Sequence, residues 1–277
     1  MPEGDTIFRA ARTLHRALAG RTVTGFESVY PALTRVDHDA PLTGRIVEGV
    51  TARGKHLLMQ FSGDLVLHTH MRMSGSWHVY KPGERWRAPQ IHMRIVVSTS
   101  AYVAVAFDVP VAEFLTRDQL ARHEVLQSLG PDLADPAFDR AEVRRRMAEH
   151  GSEPLHEVLL NQRVLAGIGN ELKSEVLFLA RLNPFARTDS LDDERFTKLM
   201  DLSLRLMTMN TIESAALGPV SGRRTTGSLD PRAKVYVYGR AGKACRRCGT
   251  AIQLSKAGRD ARLTYWCPRC QPETAAS

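Results

Sequence analysis

Several things are missing from this 277-residue chain. No apolar run approaches the ~20 residues that cross a bilayer, which excludes a helical membrane span. No charged-then-apolar signal sequence opens it, so the cytoplasm is the expected compartment. Cysteine is absent until Cys245, and acids nearly vanish near the end. From Pro231 to Cys270, ten Lys or Arg stand against one acid, Asp260. No segment repeats another. What is present is ordinary for a globular protein, 43% hydrophobic and 25% charged, and long enough for two domains.

The formal net charge is +8. A basic protein attracts polyanions, and nucleic acid is the most abundant of these in a cytoplasm. The local excess over Pro231–Cys270 exceeds that of the whole chain, so a phosphate-contacting module is expected there rather than a merely solvated face.

All four cysteines, Cys245, Cys248, Cys267 and Cys270, fall in this basic tail as two C-x2-C pairs eighteen residues apart. That is the spacing of a four-thiolate zinc site. Two disulfides are the alternative, disfavoured in a cytoplasmic chain. Four thiolates leave no open position for a catalytic water, so one zinc ion with a structural role is expected. The intervening "GTAIQLSKAGRDARLTYW" reads as a hairpin, with Ile252 and Leu254 alternating on one arm and Ala261, Leu263 and Tyr265 on the other.

Elsewhere the periodicity changes twice. Ile7, Phe8, Ala11, Leu14 and Leu18 have helical spacing, with Asp5 or Thr6 as cap and Gly20 as stop. From Val23 to Phe107, six or more short β-rich runs suggest a sandwich or barrel. His56, His68, His70, His78 and His92 lie along them in no metal-ligand spacing and read as structural histidines. "QSLGPDLADPAF" breaks the pattern as a linker. Helical segments follow, then the polar, Gly-rich "GPVSGRRTTGSLD", expected to be mobile. "LAGIGN" is a tight inter-helix turn, in which Gly167 and Gly169 permit close approach and positive φ. The next helix opens near Asn170 with free N–H groups suited to phosphate, unless it is a plain turn.

Taken in order, "MPEG", "ARGKHLL", "HMRMSGSW", "LGPD", "AGIGN" and "VYGRAGKACRRCG…RLTYWCPRCQ" resemble the formamidopyrimidine-DNA glycosylase / endonuclease VIII family, over nearly the whole chain. "MPEGD" leans toward the endonuclease VIII branch. The resemblance implies an α+β protein: residues 1–125 a catalytic β-sandwich with a leading helix, 126–137 a linker, 138–230 a helical domain with a helix–two-turns–helix element, and 231–277 a zinc-finger hairpin. It implies a monomeric bifunctional enzyme of base excision repair, acting on damaged double-stranded DNA, cytoplasmic and associated with the nucleoid when on DNA.

The resemblance also implies residue roles. With the initiator methionine removed, Pro2 offers a secondary amine that attacks C1′ of the deoxyribose. Glu3 protonates the sugar ring oxygen. Lys55, Asn170 with Gly169, and Arg262 hold phosphates beside the damaged nucleotide, with Lys55 and Arg262 also serving catalysis. Arg72, Met73 and Ser74 fill the hole left by the flipped base, although Met73 also reads as a core methionine. Two departures stand out. "DVPVAEFLT" offers no Arg-Phe pair for the loop that fills the hole in formamidopyrimidine-type enzymes, and Thr6 stands where the family often has Glu. Both favour oxidised pyrimidines over 8-oxoguanine or formamidopyrimidines. A non-enzymatic zinc-containing binder of damaged DNA shares every basic residue.

Overall fold

A computed structural model of the chain describes residues 2–211, 223–228, 230–258 and 261–273. Met1, residues 212–222 with the first part of the Gly-rich stretch, Leu229, Arg259, Asp260 and residues 274–277 lie outside the described residues. The chain divides into two compact units, Met1–Ser128 and Leu129–Ser277.

The first unit opens with α1 (Gly4–Leu18), whose Ile7, Ala11, Leu14 and Leu18 are buried. Glu3, rather than Asp5 or Thr6, occupies the N-cap. The Glu3 carbonyl accepts the first helical N–H groups, from Thr6 at 2.9 Å and Ile7 at 3.0 Å. Asp5 instead sits in the first turn, where its carboxylate accepts the Thr6 N–H at 2.7 Å and meets the positive end of the helix.

The further strands and α-helices of this unit are β1 (Val23–Ser28), α2 (Pro31–Asp39), β2 (Val47–Arg53), β3 (His56–Phe61), β4 (Leu65–His70), β5 (Ser76–Tyr80), β6 (Met93–Thr99), β7 (Val103–Phe107), β8 (Val111–Leu115) and the short helices α3 (Arg117–Ala121) and α4 (Glu124–Gln127). Two four-stranded antiparallel sheets form, ordered β1-β6-β7-β5 and β2-β3-β4-β8. Val23, Trp77, Ile95, Val97, Ala104 and Ala106 of the first sheet share one core with Val50, Leu57, Met59, Phe61 and Leu67 of the second and with α1. Burial of this shared face specifies the register, since a one-residue slip would turn it to water. The stretch without the Arg-Phe pair is β8 itself, an edge strand paired along its length to β4.

The second unit contains α5 (Arg140–Ala148), α6 (Leu155–Val158), α7 (Asn170–Ala180), α8 (Asp193–Thr211), β9 (Gln253–Ala257) and β10 (Arg262–Trp266). Its start is no free connector. The Pro131 carbonyl accepts the Ala166 N–H at 2.9 Å, and Leu133 enters the helical core. The apolar run after Pro154 makes only the short α6. Beyond it the Gln162 amide holds a turn, donating to the Leu160 and Ile168 carbonyls at 2.9 Å each and accepting from the Gly167 N–H at 3.1 Å. That turn brings α7 in at its own angle, against α8.

Candidate functional site

Pro2 is half-buried and immediately precedes the N-cap of α1, and the Glu3 side chain is wholly withdrawn from solvent, at 0% exposure. A glutamate so near the start of a chain ordinarily sits in water, because taking a carboxylate out of water is costly unless the protein compensates it.

Lys55 lies on the two-residue turn joining β2 to β3, where Arg53 pairs with His56. Gly54 takes φ +58°, as the first position of a type II′ hairpin requires. The loop after β4 has its own pattern. Met71 is buried, whereas Arg72, Met73 and Ser74 are exposed, Met73 at 60%. Met73 is therefore not a core methionine. Arg72 holds a left-handed φ of 45°, and its N–H donates to His70 Nδ1 at 3.1 Å.

In the second unit Gly169 is the N-cap of α7 and Asn170 its first residue, 7% exposed. Gly167 takes the positive φ of the turn (101°), whereas Gly169 is extended. Arg262 is exposed at the start of β10.

The four cysteine sulfurs lie within 4.8 Å of one another, with Cys248–Cys267 at 3.4 Å and Cys245–Cys270 at 4.0 Å. Tetrahedral zinc with bonds of ~2.3 Å asks for sulfurs about 3.8 Å apart, and a disulfide for ~2.0 Å. The donor set fits zinc and not disulfides. Phe178 of α7, Val237 and Ile252 pack with Cys245 and Cys267, so the metal knuckles rest on the helix that begins at Asn170.

Three groups of side chains escaped the sequence reading. The first is a chain of imidazoles in the first unit. His56 Nδ1 lies 2.8 Å from His68 Nε2, His68 Nδ1 lies 2.8 Å from Glu113 Oε1, and His123 Nε2 lies 3.1 Å from the same oxygen. The tautomers follow from its far end. The Leu126 N–H donates to His123 Nδ1, so the proton of that ring is on Nε2 and points at Glu113. The carboxylate then accepts from His68 Nδ1–H, and His68 Nε2 accepts from His56 Nδ1–H. His68, Glu113 and His123 also have the donor spacing of a metal site. The proton on His123 Nε2 favours the hydrogen-bonded arrangement. Burial pushes His56 down to about 3, with His70, His68 and His123 adding to the effect, and burial pushes His70 to about 4, with Lys55 and Arg72 adding. These rings are neutral at ordinary pH.

The second group is Glu175 of α7, 0% exposed, which accepts backbone N–H groups from Tyr236 at 2.7 Å and from Val237 and Tyr238 at 2.8 Å. It also takes the Thr225 hydroxyl, on the described part of the Gly-rich stretch. The third is the buried Lys173. Each group joins residues far apart in sequence, so no local spacing announces it.

Three family models match the chain in order: "Formamidopyrimidine-DNA glycosylase N-terminal domain" over residues 1–109, "Formamidopyrimidine-DNA glycosylase H2TH domain" over 129–217, and "Zinc finger found in FPG and IleRS" over 242–272. Together with the two sheets and the thiolate knuckles they define a class, the zinc-finger DNA glycosylases. The probable endonuclease 8 2 of Streptomyces coelicolor is 41% identical over 98% of this chain and 94% of that protein. The DNA-(apurinic or apyrimidinic site) lyase Nei2 of Mycolicibacterium smegmatis is 35% identical over 98% and 99%. Among solved structures, the Lactococcus lactis Fpg in complex with an abasic-site DNA superposes with TM-score 0.81 at 26% identity, covering 98% of this chain and all of that one. The chain belongs to the formamidopyrimidine-DNA glycosylase / endonuclease VIII family, bifunctional DNA glycosylases and AP lyases, and its four cysteines hold a structural zinc ion.

Proposed function

We propose that this chain removes oxidised pyrimidines from double-stranded DNA and cuts the strand at the resulting abasic site, with Pro2 as nucleophile. The observation that carries this reading is the wholly buried Glu3 beside Pro2 at the head of α1.

Once the initiator methionine is removed, the neutral Pro2 amine attacks C1′. The glycosidic bond breaks and the base leaves, taking up a proton. Glu3 gives a proton to the ring oxygen as the sugar opens, leaving an iminium between Pro2 and C1′. The iminium acidifies C2′–H. Loss of that proton expels the 3′ phosphate, and a second elimination expels the 5′ phosphate. Lys55 in the first unit, and Asn170 and Arg262 in the second, each hold a backbone phosphate, Arg262 with a forked donor set. Met73, exposed between Arg72 and Ser74, is the wedge that enters the stack where the base has flipped. The protein works as a monomer in the cytoplasm, on nucleoid DNA. The catalytic part is the sheet domain, and the helical and zinc-finger parts hold the duplex.

Borohydride reduction on abasic or damaged duplexes tests the chemistry. A covalent adduct mapped to the Pro2 nitrogen by mass spectrometry is expected, and blocking that amine should abolish it while leaving binding intact. A Met-free protein that binds but gives no adduct would be a non-enzymatic damage binder. A panel of single-lesion duplexes tests the substrate: faster release of thymine glycol or oxidised uracils is expected, and preference for 8-oxoguanine would overturn the pyrimidine reading.

A further inference from the structure

We infer that Lys173 is a positioning residue that fixes the amide of Asn170 for phosphate and ties it to the strand carrying Arg262. The inference rests on the proposed phosphate-binding role of Asn170.

Lys173 lies one turn into α7 and is 0% exposed. Burying an ammonium group is costly unless oxygens replace its water. Its Nζ donates to Asn170 Oδ1 at 2.8 Å, to Thr264 Oγ1 at 2.9 Å and to the Leu263 carbonyl at 3.3 Å. These acceptors match the three N–H donors of a protonated lysine.

Two consequences follow. An ammonium only donates, so the Asn170 atom facing it must be the carbonyl oxygen. The amide NH2 is therefore turned away from Lys173, an oriented donor at the first residue of α7, where the helix N-terminus already favours an anion. Free rotation of the amide would present oxygen to a phosphate half the time, and that contact is repulsive. The other two acceptors belong to β10. Thr264 is buried and lies two residues from Arg262, on the same face of the strand by alternation. The cation that sets the amide is thus itself held by the strand from which the guanidinium extends.

The test is a double-mutant cycle with Lys173→Met and Asn170→Ala in the zinc-loaded protein. Binding to a duplex with a tetrahydrofuran abasic analogue is the readout. Lys173→Met should weaken binding about tenfold with one zinc retained per chain. Adding it to Asn170→Ala should weaken binding little further, because lysine acts through the amide. Lys173→Arg should restore most of the loss. The side-chain 15N–1H signals of Asn170 should shift in Lys173→Met, and to a lesser extent in Thr264→Val, which keeps the lysine and serves if Lys173→Met does not fold. Fully additive losses, or unshifted Asn170 amide signals in Thr264→Val, would overturn the inference. Loss of binding in Asn170→Ala alone, with Lys173→Met unaffected, would overturn it and spare the phosphate reading. Wild-type binding by Asn170→Ala would overturn both.

Discussion

His56 and His70 in the first unit and His156 in the second are held neutral mainly by burial, with values pushed to about 3, about 4 and about 4. In the unfolded chain each ring titrates near ~6.5. The native values lie lower, so below pH ~6.5 the unfolded chain binds protons that the native one refuses. Stability is therefore full above that pH and falls as pH drops toward about 4, by at most ~1.4 kcal/mol per pH unit for each ring and less for the partly exposed His70. Urea melts from pH 8 to 5 should show a constant midpoint down to pH 7 and then a decline. A flat profile would mean that the rings protonate in place. Glu113 anchors the chain of imidazoles. Glu113→Ala leaves the buried His68 N–H without its acceptor and should cost ~1–3 kcal/mol, with Glu113→Gln milder because an oxygen remains. The hydrogen-bonded tautomers also predict one zinc per chain in His68→Ala, as in the parent. A second metal lost with His68 would contradict them.

Among the elements, α7 bears on the most functions. Its first residue is the proposed phosphate ligand, its buried face meets α8, and Glu175 on its second turn organises Tyr236–Tyr238 ahead of the first zinc knuckle. Removing that carboxylate leaves three backbone donors unpaired. Glu175→Ala should destabilise the second unit by at least ~2 kcal/mol and raise its protease sensitivity, leaving residues 1–128 protected. The zinc hairpin depends on its metal more directly, since among the described residues β9 and β10 pair only with each other and two-stranded ribbons are marginal alone. Chelation should abolish DNA binding and expose the Phe178–Val237–Ile252 cluster to a hydrophobic dye, while the far-ultraviolet signal of the sheets persists. Unchanged binding after verified zinc loss would separate the finger from the DNA contact. The helix α1, the core strands and the two knuckles were legible from periodicity and spacing. The edge strand β8 was not, because its residues are only half-buried and alternate weakly.

At the scale of the whole molecule, a net charge of +8 with its excess in the last quarter describes a polyanion binder. Binding to DNA should weaken linearly in log salt, and Arg262→Ala should flatten the slope by ~0.9, one phosphate contact. An unchanged slope would remove Arg262 from the contact. By itself the sequence determined whatever is written locally: four thiolates on two tight turns, apolar residues at helix or strand period, and a proline–glutamate pair ahead of a helix. These features depend on neighbours a few residues away, which the chain order already supplies. Only the tertiary structure decided that His56, His68, Glu113 and His123 form one chain, and that Lys173 meets Thr264 ninety-one residues later. Such partners meet through strand register and helix docking. Burial of two cores fixes both, and the demand that buried polar atoms be paired then selects which side chains can occupy those places.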